Sequence, residues 1–87
     1  AGGGVLMPYI LKVRRQAIEV LGETPTTAGE LNFVLTKQVL RYVALKGESY
    51  ATFNDVLGAL DAAAREFYRR KVAIYEDAKM YLNGDVY

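Results

Sequence analysis

The sequence predicts an all-α protein in which two shorter helices precede a long C-terminal helix, a three-helix arrangement. In three segments the apolar residues recur at intervals of three and four, which is the period of one face of an α-helix. The segments are separated by "GETPTTAG" and "GESYATFND", which are rich in residues that favour turns. The third segment has no proline over about 30 residues, so the last helix is the longest.

One small domain is expected, because 87 residues is near the lower size at which a chain buries a stable core. Met7 begins "MPYI", which resembles a natural start, and the preceding "AGGGVL" is rich in glycine. We therefore expect residues 1–6 to be a flexible N-terminal extension and residues 7–87 to be a single helical domain. The absence of cysteine is in keeping with a reducing cytoplasm, where disulfides are rare. No apolar run approaches the roughly 18 residues of a membrane span, so no membrane partner is expected.

The first two helices are predicted at residues 9–21 and 28–45. Thr27 with Glu30 forms a capping box at the start of the second helix, and Gly22 and Gly47 end the first and the second helix. The second helix is apolar on two sides, which predicts that both sides are buried, either centrally or against a second chain. The predicted buried stripe of the first helix consists of Ile10, Val13, Ala17 and Leu21.

The third helix is predicted at residues 53–82, roughly 45 Å long. Thr52 and Asp55 form its N-terminal cap pair, and Asn83-Gly84 ends it. Its apolar residues alternate by four and three, which is the heptad pattern of a helix that packs along another helix. The two shorter helices do not have the length to cover it, so this stripe predicts a dimeric helical bundle. The residues of this stripe are Phe53, Leu57, Leu60, Ala64, Phe67, Lys71, Ile74, Ala78 and Tyr81, and all of them except Ala78 are assigned to the predicted oligomer interface.

Lys71 is the one cation of this predicted interface. Two interpretations stay open: its ammonium group extends to the edge of the interface, or it is buried against a carboxylate of another helix and fixes the register. The other charges of "EFYRRKVAIYED" are spread around the helix, which predicts a mainly solvated, ion-paired face. The predicted i, i+4 ion pairs are Asp61 with Arg65 and Glu66 with Arg70.

The composition argues against an enzyme and against a bound cofactor. The chain contains neither histidine nor cysteine, so it has no imidazole base, no thiolate nucleophile and no Cys/His zinc site. A metal site would need carboxylates, as in an Mg-dependent nucleotide hydrolase. Asp61 and Glu66 are five positions apart in the sequence. Glu76 and Asp77 are adjacent and point to different faces, so neither pair of carboxylates converges on one metal ion.

The sequence therefore favours a small non-enzymatic helical protein that self-associates and binds another macromolecule. The reason is the surplus of apolar helix surface over what one short chain can bury. The alternative is a nucleic-acid-binding protein, in which dimerisation places cations of two chains in one stripe. The formal net charge of +1 gives this alternative no support from long-range attraction. The cations of this stripe are Arg14, Arg15, Arg65 and Arg69.

Five segments of the chain resemble a family of short phage and bacterial proteins of unknown function. These segments are "GELNFVLT" (29–36), "SYATFNDVLGAL" (49–60), "EFYRR" (66–70), "YEDAK" (75–79) and "NGDVY" (83–87). The resemblance extends from about Met7 to the end of the sequence, and it implies a phage or mobile-element setting. In that family a proline is common at the position of Ile74, which implies a kink in the long helix near Ala73. The resemblance implies no catalytic residue.

Overall fold

The structure is a computed structural model, and it describes residues 10–87. In chain order its helices are α1 (Lys12–Leu21), α2 (Ala28–Lys46), α3 (Tyr50–Phe67) and α4 (Ala73–Asn83), and a π-helical turn (Tyr68–Val72) joins α3 to α4. Residues 10–87 contain no β-strand, so the all-α prediction is confirmed. The predicted extension at residues 1–6 and the predicted helix start at residue 9 lie outside the described residues.

The chain divides into two compact units, and the first of them extends to Glu48. In this unit α1 packs against α2, and the buried apolar side chains are Ile18 of α1 and Phe33 of α2, which are 8% and 4% exposed. The structure corrects the stripe predicted for α1, because Val13 and Leu21 are exposed while Ile18 lies inward. This rotation of α1 lets an arginine one turn before Ile18 pair with a carboxylate of α2, as described below.

In the single chain α2 is buried on one side, so the predicted central position with both sides buried is wrong. Burial of its other side against a second chain stays a prediction. Phe33 is buried, whereas Leu31 and Leu45 of the opposite side are exposed in the single chain. The reason is that α1 has 10 residues and covers only one stripe of a helix of 19 residues. The predicted stop at Gly47 is confirmed, since this glycine has a φ of 89°, a conformation that residues with a Cβ rarely adopt.

The second unit, Ser49–Tyr87, begins with a helix cap that sequence analysis misplaced. The Ser49 hydroxyl oxygen accepts a hydrogen bond from the Thr52 backbone N–H at 3.1 Å, and α3 begins at Tyr50. Thr52, which was predicted to form the cap with Asp55, therefore lies inside the first turn of α3. Serine is among the best N-cap residues, because its hydroxyl satisfies an N–H group that has no carbonyl partner within the helix.

Ser49→Ala is expected to lower the free energy of unfolding by about 1 kcal/mol, because the capped N–H loses its acceptor. Urea denaturation followed by circular dichroism measures the change. Ser49→Asp is the matched control, since aspartate retains an oxygen acceptor at the cap and should keep most of the stability. Equal stability of the alanine variant and the unmodified protein would show that the Ser49 cap contributes little.

The predicted long C-terminal helix is confirmed. The backbone stays in the right-handed helical region at Phe67, Tyr68, Val72 and Ala73, so the helix does not break where α3, the π-helical turn and α4 meet. We call the whole of residues 50–83 the C-terminal helical segment. It ends at Gly84, whose φ of 87° again favours glycine.

Candidate functional site

The C-terminal helical segment contains one turn of irregular hydrogen bonding near its middle. The backbone N–H of Ala73 donates to the carbonyl oxygen of Tyr68, which is five residues earlier in the chain. In an α-helix the acceptor is the carbonyl oxygen four residues earlier. One extra residue in a turn moves every later side chain by about 100° around the helix axis. The hydrogen bond from the Tyr68 hydroxyl to Glu76 Oε1, at 2.6 Å, agrees with this displacement, because it places two residues eight positions apart on one side of the helix.

This displacement changes which residues continue the apolar stripe beyond Phe67, while the oligomer interface itself stays a prediction. Each predicted position after the turn is replaced by the residue that follows it, so the stripe continues through Val72 and Tyr75. The predicted residues Lys71, Ile74, Ala78 and Tyr81 turn to other sides of the helix. We call the corrected stripe the seam; its members are Phe53, Leu57, Leu60, Ala64, Phe67, Val72, Tyr75, Lys79 and Leu82.

The seam is open to solvent in the single chain. Leu57 and Phe67 are 65% and 63% exposed, and among the seam residues only Val72 is half-buried. A continuous stripe of large apolar side chains is typical of a surface that associates with another molecule. Ile74 and Tyr81 are also exposed. They lie two turns apart on another side of α4, and we call this pair the second apolar patch.

Carboxylates of the same helix hold most of the cations near the π-helical turn. Glu66 accepts two hydrogen bonds from Arg69 and one from Arg70, at 2.9–3.0 Å. These guanidinium groups, Arg69 first, hold the pKa of the Glu66 carboxyl below its usual range. Arg65 pairs with Asp61 at 2.8 Å. Both predicted i, i+4 ion pairs are therefore confirmed.

Lys71 and Glu76 lie on opposite edges of the seam, because each directly flanks the seam pair formed by Val72 and Tyr75. Lys71 makes no ion pair with any residue that the structure describes. Glu76 accepts the Tyr68 hydroxyl, and this hydrogen bond raises the pKa of Tyr68. The π-helical turn thus moves Lys71 from the seam to its edge, which agrees with the interpretation that its ammonium group extends to the edge. Pairing of Lys71 with a carboxylate of another helix stays a prediction.

In the first unit, α1 and α2 are joined by an ion-pair network that sequence analysis missed. The Arg14 guanidinium donates to both oxygens of Glu30, at 3.0 and 2.8 Å, and to Glu23 at 2.7 Å. Thr26 donates to Glu30 through its backbone N–H and its hydroxyl. Arg14, and after it the Thr26 N–H, lower the pKa of Glu30 to about 2. Thr27 accepts the Glu30 N–H at 3.1 Å, so one half of the predicted capping box forms while the carboxylate binds Arg14 instead.

The stability of the first unit is expected to fall as the pH is lowered from about 4.5 to about 2. The Glu30 pKa is about 2 in the folded chain and has a usual value of 4.5, so its contribution is complete above 4.5 and is lost through 2. Thermal unfolding between pH 6 and pH 2 measures this loss. Glu30→Gln should melt lower at pH 6 and change less on acidification, whereas Glu48→Gln, at an exposed position, should follow the unmodified protein. Parallel curves for Glu30→Gln and the unmodified protein would contradict the assignment.

Most cations of the predicted nucleic-acid stripe are engaged within the chain. Arg14 is bound to Glu30, and Arg65 and Arg69 are bound to carboxylates one turn away. Arg15 is exposed on α1. Among residues 10–87 no three acidic side chains lie together as metal ligands. Within the same residues, no helix has both the length and the apolar character that crossing a membrane requires.

The comparison with protein families gives a match to a family of unknown function. The model of the family described as "Domain of unknown function (DUF6899)" matches residues 7–86. The chain belongs to this family. The DUF6899 match includes every residue of the seam, and it confirms the predicted resemblance to a family of unknown function. The comparisons with curated proteins and with solved structures found no match.

Proposed function

We propose that this member of the DUF6899 family is a non-enzymatic helical protein that self-associates through the seam and binds another macromolecule. The exposure of the seam carries the proposal, since Leu57 and Phe67 present most of their side chains to solvent. Full burial of one such side chain contributes about 1.5–3 kcal/mol. A second copy presents the same stripe, so a two-fold symmetric pair is the simplest arrangement that buries the seam of both chains.

The spacing of the seam supports pairing of one helix with another. Before the π-helical turn the seam residues alternate by four and three, and after it they alternate by three and four. This spacing lets each side chain of one helix insert between four side chains of the facing helix. Loss of translational and rotational freedom on association costs about 4–15 kcal/mol, and burial of several large side chains from each copy offsets it.

The second apolar patch, formed by Ile74 and Tyr81, supports binding of a further partner. The π-helical turn places this patch about 100° from the seam, so a dimer that buries the seam leaves the patch accessible. Both side chains are well exposed in the single chain. A protein partner is favoured over a nucleic acid, because the nearby guanidinium groups of Arg69 and Arg70 already bind Glu66.

The resemblance to a family of short phage and bacterial proteins favours a phage or mobile-element setting for this role. The absence of cysteine favours the cytoplasm as its compartment.

Sedimentation equilibrium over a range of concentrations tests the proposal. We expect a mass that rises from that of one chain to that of two as the concentration increases through the micromolar range. A single-chain mass at several hundred micromolar would contradict self-association.

A further inference from the structure

We infer that two copies pair through their seams in parallel and in register, with Lys71 of each copy bound to Glu76 of the other. This inference rests on the proposed self-association and adds the orientation of the pair. It commits to one occupant of the seam, which is a second copy of this chain. The interaction that selects this occupant is the pair of opposite charges on the two edges of the seam.

The positions of Lys71 and Glu76 match the edges of a heptad. With Val72 and Tyr75 as the two core positions of one repeat, Lys71 directly precedes the first and Glu76 directly follows the second. Side chains at these edges form the ion pairs between helices that set partner choice and orientation in coiled coils. Neither residue has an ion pair within the described chain, and the Tyr68 hydroxyl binds only Oε1 of Glu76. The remaining oxygen of Glu76 is therefore available to an ammonium group from a second helix.

Parallel pairing is the orientation that joins these two charges. In a parallel two-fold pair, each edge of one helix faces the opposite edge of its partner, so Lys71 faces Glu76 on both sides of the dimer. In an antiparallel pair, each edge faces the same edge of the partner. In the antiparallel register whose two-fold axis lies at the π-helical turn, Glu76 would face Asp61 of the second copy, and two carboxylates would meet.

Lys79 is the polar residue of the seam, and in a parallel dimer it marks the end of the paired region. A single lysine at the first core position of a heptad restricts register and oligomeric state at a cost in stability. The Lys79 ammonium lies 5.5 Å from the centre of the Tyr75 ring, so it is turned back along its own helix. The two ammonium groups of a parallel pair still repel each other, and we therefore place the paired region at residues 53–76.

Variants with a single introduced cysteine test the orientation. The chain contains no cysteine of its own, so every disulfide that forms involves the introduced residue. Leu60→Cys and Tyr75→Cys place one thiol in the seam on each side of the π-helical turn, about 20 Å apart along the helix. In a parallel, in-register pair each thiol meets its own copy, so both variants are expected to form disulfide-linked dimers under mild oxidation. Non-reducing electrophoresis measures the product. Ala62→Cys is the control, since it lies on the side away from the seam and should remain a single chain.

The outcomes separate the orientation from self-association. In an antiparallel pair at most one of the two cysteines lies at the two-fold axis, so a dimer in which only one variant cross-links overturns the parallel orientation and leaves the proposed function in place. A single-chain mass for the unmodified protein in sedimentation overturns both. Circular dichroism of each variant confirms that the exposed substitutions keep the helices.

Charge exchange tests the inferred ion pair. Lys71→Glu and Glu76→Lys are each expected to raise the dimer Kd about 10-fold, because each creates two like-charge contacts per dimer. The double variant restores both attractions and should return the Kd to within about 3-fold of the unmodified value. Asp77→Lys is the control, since it adds the same charge change next to Glu76 but off the seam. Equal Kd values for the single variants, or a double variant no tighter than either, would overturn the pair.

Discussion

Replacing Phe33 by alanine is expected to lower the free energy of unfolding by about 3–5 kcal/mol. At 4% exposure Phe33 is the most buried apolar side chain of the described residues, and its removal leaves a cavity that one short helix packing on α2 cannot close. A domain of this size has a total stability of about 5–15 kcal/mol, so the variant loses a large part of it. Urea denaturation followed by circular dichroism measures the change.

Two further variants keep this prediction testable if Phe33→Ala does not fold. Phe33→Leu retains most of the volume and is expected to lose about 1 kcal/mol. Phe67→Ala removes the same ring from a site that is 63% exposed, so it should leave the stability of the single chain within about 0.5 kcal/mol of the unmodified value. All variants are compared at one low protein concentration, because self-association raises apparent stability. Similar losses at Phe33 and Phe67 would contradict the assignment of the core.

Replacing Leu57 by aspartate is expected to weaken self-association about 100-fold or more while leaving the monomer folded. Leu57 is 65% exposed in the single chain, so the aspartate is solvated there. In the dimer the substitution buries two carboxylates in an apolar contact, and burial of an unpaired charge is strongly unfavourable. Sedimentation equilibrium gives the Kd, and circular dichroism gives the helix content.

Ala62→Asp is the matched control for this experiment. Ala62 lies on the same helix and is also exposed, but it is on the side away from the seam. It should therefore leave the Kd within about 3-fold of the unmodified value. Equal weakening by both substitutions would place the contact surface elsewhere on the helix, and no weakening by Leu57→Asp would remove the seam from the interface.

The helix ends were the most predictable part of the fold, because they depend on residues close together in sequence. Gly22, Gly47 and Gly84 were each predicted to end a helix, and all three adopt positive φ values that favour glycine. Thr27 was predicted as the cap of α2, and its side chain accepts the Glu30 N–H. Ser49 is the exception, because Thr52 and Asp55 offered a similar local pattern three residues later.

The ion-pair network of α1 and α2 was not predictable from the sequence. Arg14 and Glu30 are separated by 16 positions, and nothing in either segment indicates that the two side chains meet. The sequence instead suggested a capping role for Glu30 and a nucleic-acid role for Arg14. The packing of α1 on α2 places the Arg14 guanidinium next to the Glu30 carboxylate, so the two side chains bind each other.

The π-helical turn was also not predictable from the sequence, because residues 68–72 contain neither glycine nor proline. The one indication was the kink near Ala73 that the resemblance implied, close to the end of the turn. Without it, a periodic count continues through Lys71 and Ile74 as though every turn held the same number of residues. The count and the structure give the same stripe up to Phe67, and they differ by one residue after it.

The sequence by itself determined that this protein is helical, where each helix stops, and that its last helix has an apolar stripe, because propensity, capping and periodicity act over one or two turns. The three-dimensional structure decided which side of α1 and α2 is buried and which residues continue the stripe beyond residue 67. Those outcomes depend on contacts between distant segments and on a single displaced hydrogen bond, from Ala73 to Tyr68. One such bond changes the direction of every later side chain on the helix, and the composition of the sequence does not indicate it.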